Sequence, residues 1–181
     1  MTQRIIVFAD TETTGMNLPD ERIIETCLMQ FDLDTEEHLK TWLWRCNPLC
    51  KIQAKAQKVH GISLADLENE PTYDIVAPAI RGVIEPSVGF IAHNGDEFDV
   101  PFIDREQRRV GQPISWPKTF DTMKEARWAT HNGKNPRLGE LAACLGIPYD
   151  PDQAHGAEYD VDIMARSFFE GRRLGWFRFN P

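Results

Sequence analysis

Asp10 and Glu12 stand one residue apart at the end of a short apolar run, and side chains two apart on a strand leave the same face. Both carboxylates therefore face one place. A second apolar run leads through VGFIAHNGDEFDV (residues 88–100) to Asp99, where an acid sits at the start of the next helix, across the sheet from the first pair. In HGAEYD, His155 lies in a loop and Asp160 follows five residues later in the first turns of a helix. Carboxylates hold hard divalent cations and exchange protons with a reacting group. An imidazole titrating near pH ~6.5 suits proton transfer under neutral conditions. Taken singly, each position has a plainer reading: a turn after a strand, a helix N-cap at Asp99, a loop histidine. Their occurrence together is what points to a site.

The elements that must position these residues follow from periodicity. Residues 5–10 read as a buried strand ended by the turn Thr13-Thr14-Gly15, and residues 23–32 and 38–45 as two further strands of an antiparallel meander. Short helical pieces are expected over residues 53–69. Residues 73–84 place Ile75, Val76, Ala79, Ile80 and Val83 at helical spacing, and residues 88–92 return to strand. Helices are expected over 97–110, beginning near Pro101 where a first-turn proline is tolerated, over 122–129, over 138–145 with Gly146 as its cap, and over 157–173. Residues 146–156 form a loop rich in Pro, Asp and Gly. Strands first, then helices alternating with one or two more strands, give an α/β chain with a mixed sheet covered on both faces.

A chain of 181 residues with 41% hydrophobic content can bury one sizeable core, so residues 1–181 read as a single domain. The apolar run near Met1 is too short for a signal peptide, and no stretch is long enough to span a bilayer; both point to a soluble, cytoplasmic protein without membrane contact. Cys27, Cys46, Cys50 and Cys144 form no CxxC pair and read as free thiols rather than a zinc site. The net charge of -8 argues against a broad duplex-gripping surface, though not against a small site whose cations supply the positive charge.

The chain resembles the DEDDh 3′-to-5′ exonucleases, of ribonuclease H-like fold with a mixed five-stranded sheet flanked by helices. The resemblance runs through FADTETTG (8–15), VHGIS (59–63), AHNGDEFD (92–99), FDTMKEAR (120–127), LGELAACLGI (138–147) and HGAEYD (155–160). It implies that Asp10, Glu12, Asp99 and Asp160 bind two Mg2+ or Mn2+ ions and that His155 is the general base. Tyr159 is followed four residues on by Ile163, not the Asp of the tyrosine branch. The chain departs from the family pattern in having one extra residue between His93 and Phe98-Asp99, and Gly156 and Glu158 after His155.

The resemblance further implies a substrate-binding set of Thr11, Thr13, Thr14, Gly15, Met16, His60, Asn94 and Phe98. In it the turn after Glu12 offers backbone N–H groups, Met16 wedges against a base and Phe98 stacks, although an aromatic beside a buried strand also reads as core. His60 reads equally as a local cap, and His93 as a hydrogen-bonded core histidine. Arg127, His131, Lys134 and Arg137 either follow the incoming backbone or belong to a solvated loop. The tail over residues 172–178 reads as a cap on the core ahead of a nucleic-acid contact.

Hydrolysis of a phosphodiester brings an anionic nucleophile to an anionic phosphorus, and two divalent ions about 3.5–4 Å apart serve both nucleophile and leaving oxygen. The substrate is then the 3′ end of a single-stranded or frayed DNA or RNA, and a polymerase or a second copy is the protein partner implied. Three rival readings are an exoribonuclease or oligoribonuclease on the same scaffold, which motifs cannot separate because a few 2′-OH contacts decide it, an inactive exonuclease-like binding module, and a general metal phosphohydrolase. The complete set of five residues opposes the second. The last lacks a DxD after the first strand and a P-loop.

Overall fold

The computed structural model describes residues 3–17 and 20–181. Its centre is β1 (Ile5–Thr13), which pairs antiparallel with β2 (Ile23–Asp32); β2 in turn pairs antiparallel with β3 (His38–Arg45). On its other side β1 runs parallel to β4 (Gly89–Ala92), and β4 parallel to β5 (Lys118–Asp121), giving the order β3-β2-β1-β4-β5. The helices are α1 (Ala54–His60), α2 (Tyr73–Ile84), α3 (Asp99–Arg109), α4 (Thr122–Glu125), α5 (Leu138–Cys144) and α6 (Ala157–Arg173).

Alternation along β1 explains why the sheet is covered twice. Ile6 and Phe8 enter a cluster with Val161, Met164, Ala165 and Phe168 of α6, while Val7 and Ala9 enter another with Val76, Ala77 and Ile80 of α2 and Phe102 and Ile103 of α3. The inward residues of α6 recur at three- and four-residue intervals, the stripe that lets a helix lie flat on a sheet. The chain's last residues seal the first cluster: Phe177 and Phe179 are buried, and their rings lie against Gly171 and Gly89, where a Cβ would collide with them. The tail thus caps the core, the reading preferred for it from sequence.

Three expectations need adjustment. The first strand continues past Asp10 to Thr13 because β2 keeps pairing with it through Glu12↔Glu25, with a register irregularity between Glu12 and Thr13. The segment 122–129 is not one helix but α4 followed by a 3-10 turn, Arg127–Ala129, with Ala126 buried between them. Helix α3 starts at Asp99, not at residue 97. Strand β5 carried little sequence signal: only four residues, directly after Pro117, with just Phe120 and Asp121 buried. Among the described residues no helix is long and apolar enough to cross a membrane.

Candidate active site

The sheet brings three distant segments to one end. Asp10 and Glu12 project from the last turns of the β1 pleat, and Thr11 between them points the other way, donating its hydroxyl to Asp99 Oδ1 at 2.8 Å. Asp99, 2% exposed, is the first residue of α3. Asp160 lies in the first turn of α6, and its Oδ2 accepts the His155 backbone N–H at 3.0 Å. Its other oxygen, Oδ1, is buried with no hydrogen-bond partner among the described residues. His155 is exposed and adopts a left-handed backbone, φ 65°, which turns its N–H back onto Asp160.

The electrostatics show how closely the acids are gathered. Burial first, then the charges of Asp99, Glu12, Asp160 and Glu25, holds the Asp10 carboxyl well above the usual range. Burial and the charges of Glu25, Asp160 and Asp99 push Glu12 up to about 8. Asp99 is raised to about 7 by burial, against the opposing Thr11 hydroxyl and nearby backbone N–H groups. Asp160 is raised by burial and pulled back by the His155 N–H and imidazole. Like charges brought together in a poorly solvated place disfavour ionisation.

A fifth acid joins them that the sequence reading missed. Glu25 faces Glu12 in the β1–β2 register, is 5% exposed, and accepts from Arg45 Nε at 2.6 Å. Its signal was present: a charged residue inside a strand otherwise buried along nearly its whole length.

Beside Glu12 opens a cleft of about 170 Å3, lined by Glu12, Thr13, Gly15, Met16, Gln53, Lys55, Ala56, Val59, His60 and Phe98. Five of the eight expected substrate residues, Thr13, Gly15, Met16, His60 and Phe98, therefore share one hollow. Thr11, Thr14 and Asn94 do not line it. Thr11 is turned to Asp99, and Thr14 is fully buried, with its N–H on Arg22 O (2.8 Å) and its hydroxyl on Glu21 (2.5 Å). Both hydroxyls are engaged in holding the framework. Asn94, at φ 69°, gives its N–H to Asp121.

His60 makes the local cap: its Nδ1 accepts the Ile62 N–H at 3.0 Å, which leaves the proton on Nε2, a buried atom without a hydrogen-bond partner among the described residues. His93 is the core histidine expected, bonded to Thr122 Oγ1 (2.9 Å) and Pro136 O (3.1 Å), with burial lowering it to about 4. Phe98 also packs on Phe102 at 4.7 Å. In the 127–137 stretch, Arg127 bonds Asn135 and Lys134 pairs with Glu140, so part of its charge is spent locally. Gln53, Lys55, Ala56 and Val59 were not foreseen as lining residues, because a short helix with no buried residue shows no face in its sequence.

The family model described as exonuclease (RNase T) matches residues 7–168. The chain belongs to the DEDD-type exonuclease family. Among its relatives, the DNA polymerase III subunit epsilon of Buchnera aphidicola subsp. Schizaphis graminum is 32% identical over 176 residues, 92% of this chain and 73% of that protein. The 3′-5′ exonuclease DinG of Bacillus subtilis is 27% identical over 172 residues, 94% of this chain but 18% of DinG. The zinc-bound E. coli ExoI–ssDNA complex superposes with a TM-score of 0.83 at 20% identity, over 97% of this chain and 42% of that one. That last likeness is one of fold: a mixed five-stranded sheet with flanking helices, ribonuclease H-like. The chain spans only about a tenth of the PolC-type DNA polymerase III of Ureaplasma parvum, which it also matches, 11% of that protein.

Within the exonuclease family frame, the donor set can be tested for fit to divalent cations. Carboxylate oxygens are the hard ligands that Mg2+ and Mn2+ prefer. Asp160 Oδ1 is a buried acceptor with no partner among the described residues, and burial first, then neighbouring carboxylates, disfavours the charged forms of Asp10 and Glu12 until a cation is present. Among the described residues no three ligating side chains are already drawn together as a coordination shell. The chemistry of the donors fits nonetheless.

Proposed function

We propose that this chain is a 3′-to-5′ exonuclease that hydrolyses the phosphodiester bonds of DNA from a free 3′ end and releases nucleoside monophosphates. The observation that carries the reading is the set of four acids, Asp10, Glu12, Asp99 and Asp160, gathered at one end of the sheet, where burial and then the charges of the other three raise Asp10, and burial and then the charges of Glu25, Asp160 and Asp99 raise Glu12, beside a cleft sized for a few groups of a ligand. The names of the epsilon and DinG relatives support the direction of attack and DNA as substrate. The epsilon name also supports a polymerase as protein partner. The two sealed faces of one sheet support reading residues 1–181 as a single domain, and the name of the epsilon relative, a DNA polymerase subunit, supports the cytoplasm as its site of action.

In this reading Asp10, Glu12, Asp99 and Asp160 hold two divalent cations, Mg2+ or Mn2+, in keeping with the metal dependence of the family. When bound, the ions supply Lewis acidity to the attacking water and the departing 3′ oxygen. The protein's own residues do the rest. Thr11 fixes Asp99 through its hydroxyl, and the His155 N–H fixes one oxygen of Asp160 while the other is left for a ligand. Thr13, Gly15, Met16 and Phe98 enclose the terminal nucleotide, with His60 in the same lining. The exposed imidazole of His155 takes a proton from the attacking water once its loop closes over the substrate.

End-labelled linear DNA, circular single-stranded DNA and RNA oligonucleotides, each incubated with and without Mn2+ or Mg2+ after chelation, test the proposal. Mononucleotide release from linear DNA alone, only with metal, is the expected result. Equal cleavage of circles would make the protein an endonuclease, and preference for RNA would make it an exoribonuclease.

A further inference from the structure

Asp121 closes β5, opposite Ala92 in the β4–β5 register, and is 4% exposed. Its carboxylate accepts four backbone N–H groups. Oδ1 takes those of Asn94 (3.0 Å), Met123 (2.9 Å) and Lys124 (3.2 Å), and Oδ2 takes that of Asp96 (3.3 Å). Two of these bonds are an ordinary helix N-cap on α4. The other two reach back 27 and 25 residues to the turn between β4 and α3.

That turn delivers Asp99. Asn94 stands in the left-handed region (φ 69°), and its carbonyl accepts from Glu97 and Phe98 at 3.2 and 3.0 Å, so the turn winds directly into the first residue of α3. Gly95 packs so tightly on Ala92 that a Cβ would lie 2.5 Å from the alanine's own. A non-glycine residue held in a left-handed turn needs surroundings that fix it, and Asp121 supplies two of the bonds that do. The residues after Asp121 add to the clamp: Thr122 Oγ1 meets His93 Nδ1 at 2.9 Å, and Lys124 Nζ pairs with Asp96 at 3.3 Å. Asp121 is also near enough for its charge to act on the Asp99 carboxyl. A cap on the four-residue α4 alone would need none of these contacts to residues 93–96.

We infer that Asp121 is a positioning residue for Asp99, setting the turn 94–98 and through it the placement of that carboxylate toward a divalent cation. The inference rests on the proposed function for its metal and on the hydrogen bonds alone for the turn. Loss of a residue that orients a metal ligand typically weakens metal affinity or activity 10- to 100-fold, on the order of the ligand-orienting effects seen in metal sites generally.

The test compares wild type, Asp121→Asn and Asp121→Ala by Mn2+ titration in the absence of substrate, by kcat and KM on a linear oligonucleotide, and by amide hydrogen exchange at Asn94 and Asp96 in the metal-free protein. Asp121→Ala loses both acceptor oxygens and with them all four hydrogen bonds, and is expected to exchange faster at both amides, bind Mn2+ about 10- to 100-fold more weakly and lose kcat more than KM. Asp121→Asn keeps an oxygen for Asn94 but offers Asp96 a donor; it is expected to exchange faster at Asp96 only, with Mn2+ affinity between the other two. Wild-type Mn2+ affinity and amide exchange in Asp121→Asn would overturn the inference, whether or not Asp121→Ala folds. A wild type that exchanges slowly at both amides yet binds no Mn2+ would sink the metal reading while leaving the turn clamp standing.

Discussion

Glu12→Gln is expected to stabilise the metal-free protein, increasingly so as the pH rises. The Glu12 carboxyl moves from an ordinary 4.5 to about 8 on folding, through burial and the charges of Glu25, Asp160 and Asp99. Because the folded value lies above the unfolded one, the folded chain binds more protons between them, and stability falls as pH climbs through that window. At about 1.4 kcal/mol per pH unit the full effect has a ceiling of about 5 kcal/mol at pH 8. Solvent at the mouth of the cleft screens part of this, leaving about 2 kcal/mol as the working figure. For a domain of this size that corresponds to roughly 4–8 °C in Tm. Calorimetric scans in chelator should show the two proteins melting together near pH 5 and the variant melting higher at pH 8. Added Mn2+ should raise the wild-type Tm strongly and the variant's little, since the cation replaces the protons only where the carboxylate remains. Glu12 also raises Asp10, so its removal acts in the same direction there. A gap between the proteins that is identical at pH 5 and pH 8 would refute the electrostatic account of the site.

His155→Ala should keep Mn2+ binding, because the bond to Asp160 comes from its backbone N–H, yet lose about 10²- to 10⁴-fold in kcat as a missing general base; an unchanged single-turnover rate would reassign the proton transfer. Asp160→Ala should instead weaken Mn2+ binding itself in the same titration. Thr11→Val removes the hydroxyl from Asp99 and should cost about 1.5–3 kcal/mol in urea unfolding above pH 7, as the loss of a buried bond to a charged group does, with no change in the cleft. Glu106, 1% exposed, pairs with Arg22 Nε at 2.7 Å and Arg109 at 2.5 Å. Glu106→Gln should cost about 2 kcal/mol in urea unfolding, toward the low side for a broken buried pair because both arginines keep some water; a loss below about 0.5 kcal/mol would show that the pair adds nothing.

The sequence by itself determined most of the frame and the shared direction of the first two acids. Asp10 and Glu12 share a face because the strand period is two, and the stripe of Val161, Met164, Ala165 and Phe168 can bury only as a helix. These are local rules, written within a few residues of one another. What required the tertiary structure was every relation between segments. Thr11 entered the substrate set through the resemblance, but the pleat turns its side chain away from Asp10 and Glu12, to where α3 brings Asp99 within 2.8 Å. Thr14 reads as a free turn residue until Glu21 and Arg22 fold back over it. Glu25 becomes part of the acid cluster only through the register of β1 on β2, and Asp121 acts on Asp99 only through parallel pairing of strands whose partners lie far apart in the chain. A side chain's direction follows from its own few neighbours; what it meets depends on hydrogen-bond register and packing between elements, which no local pattern encodes.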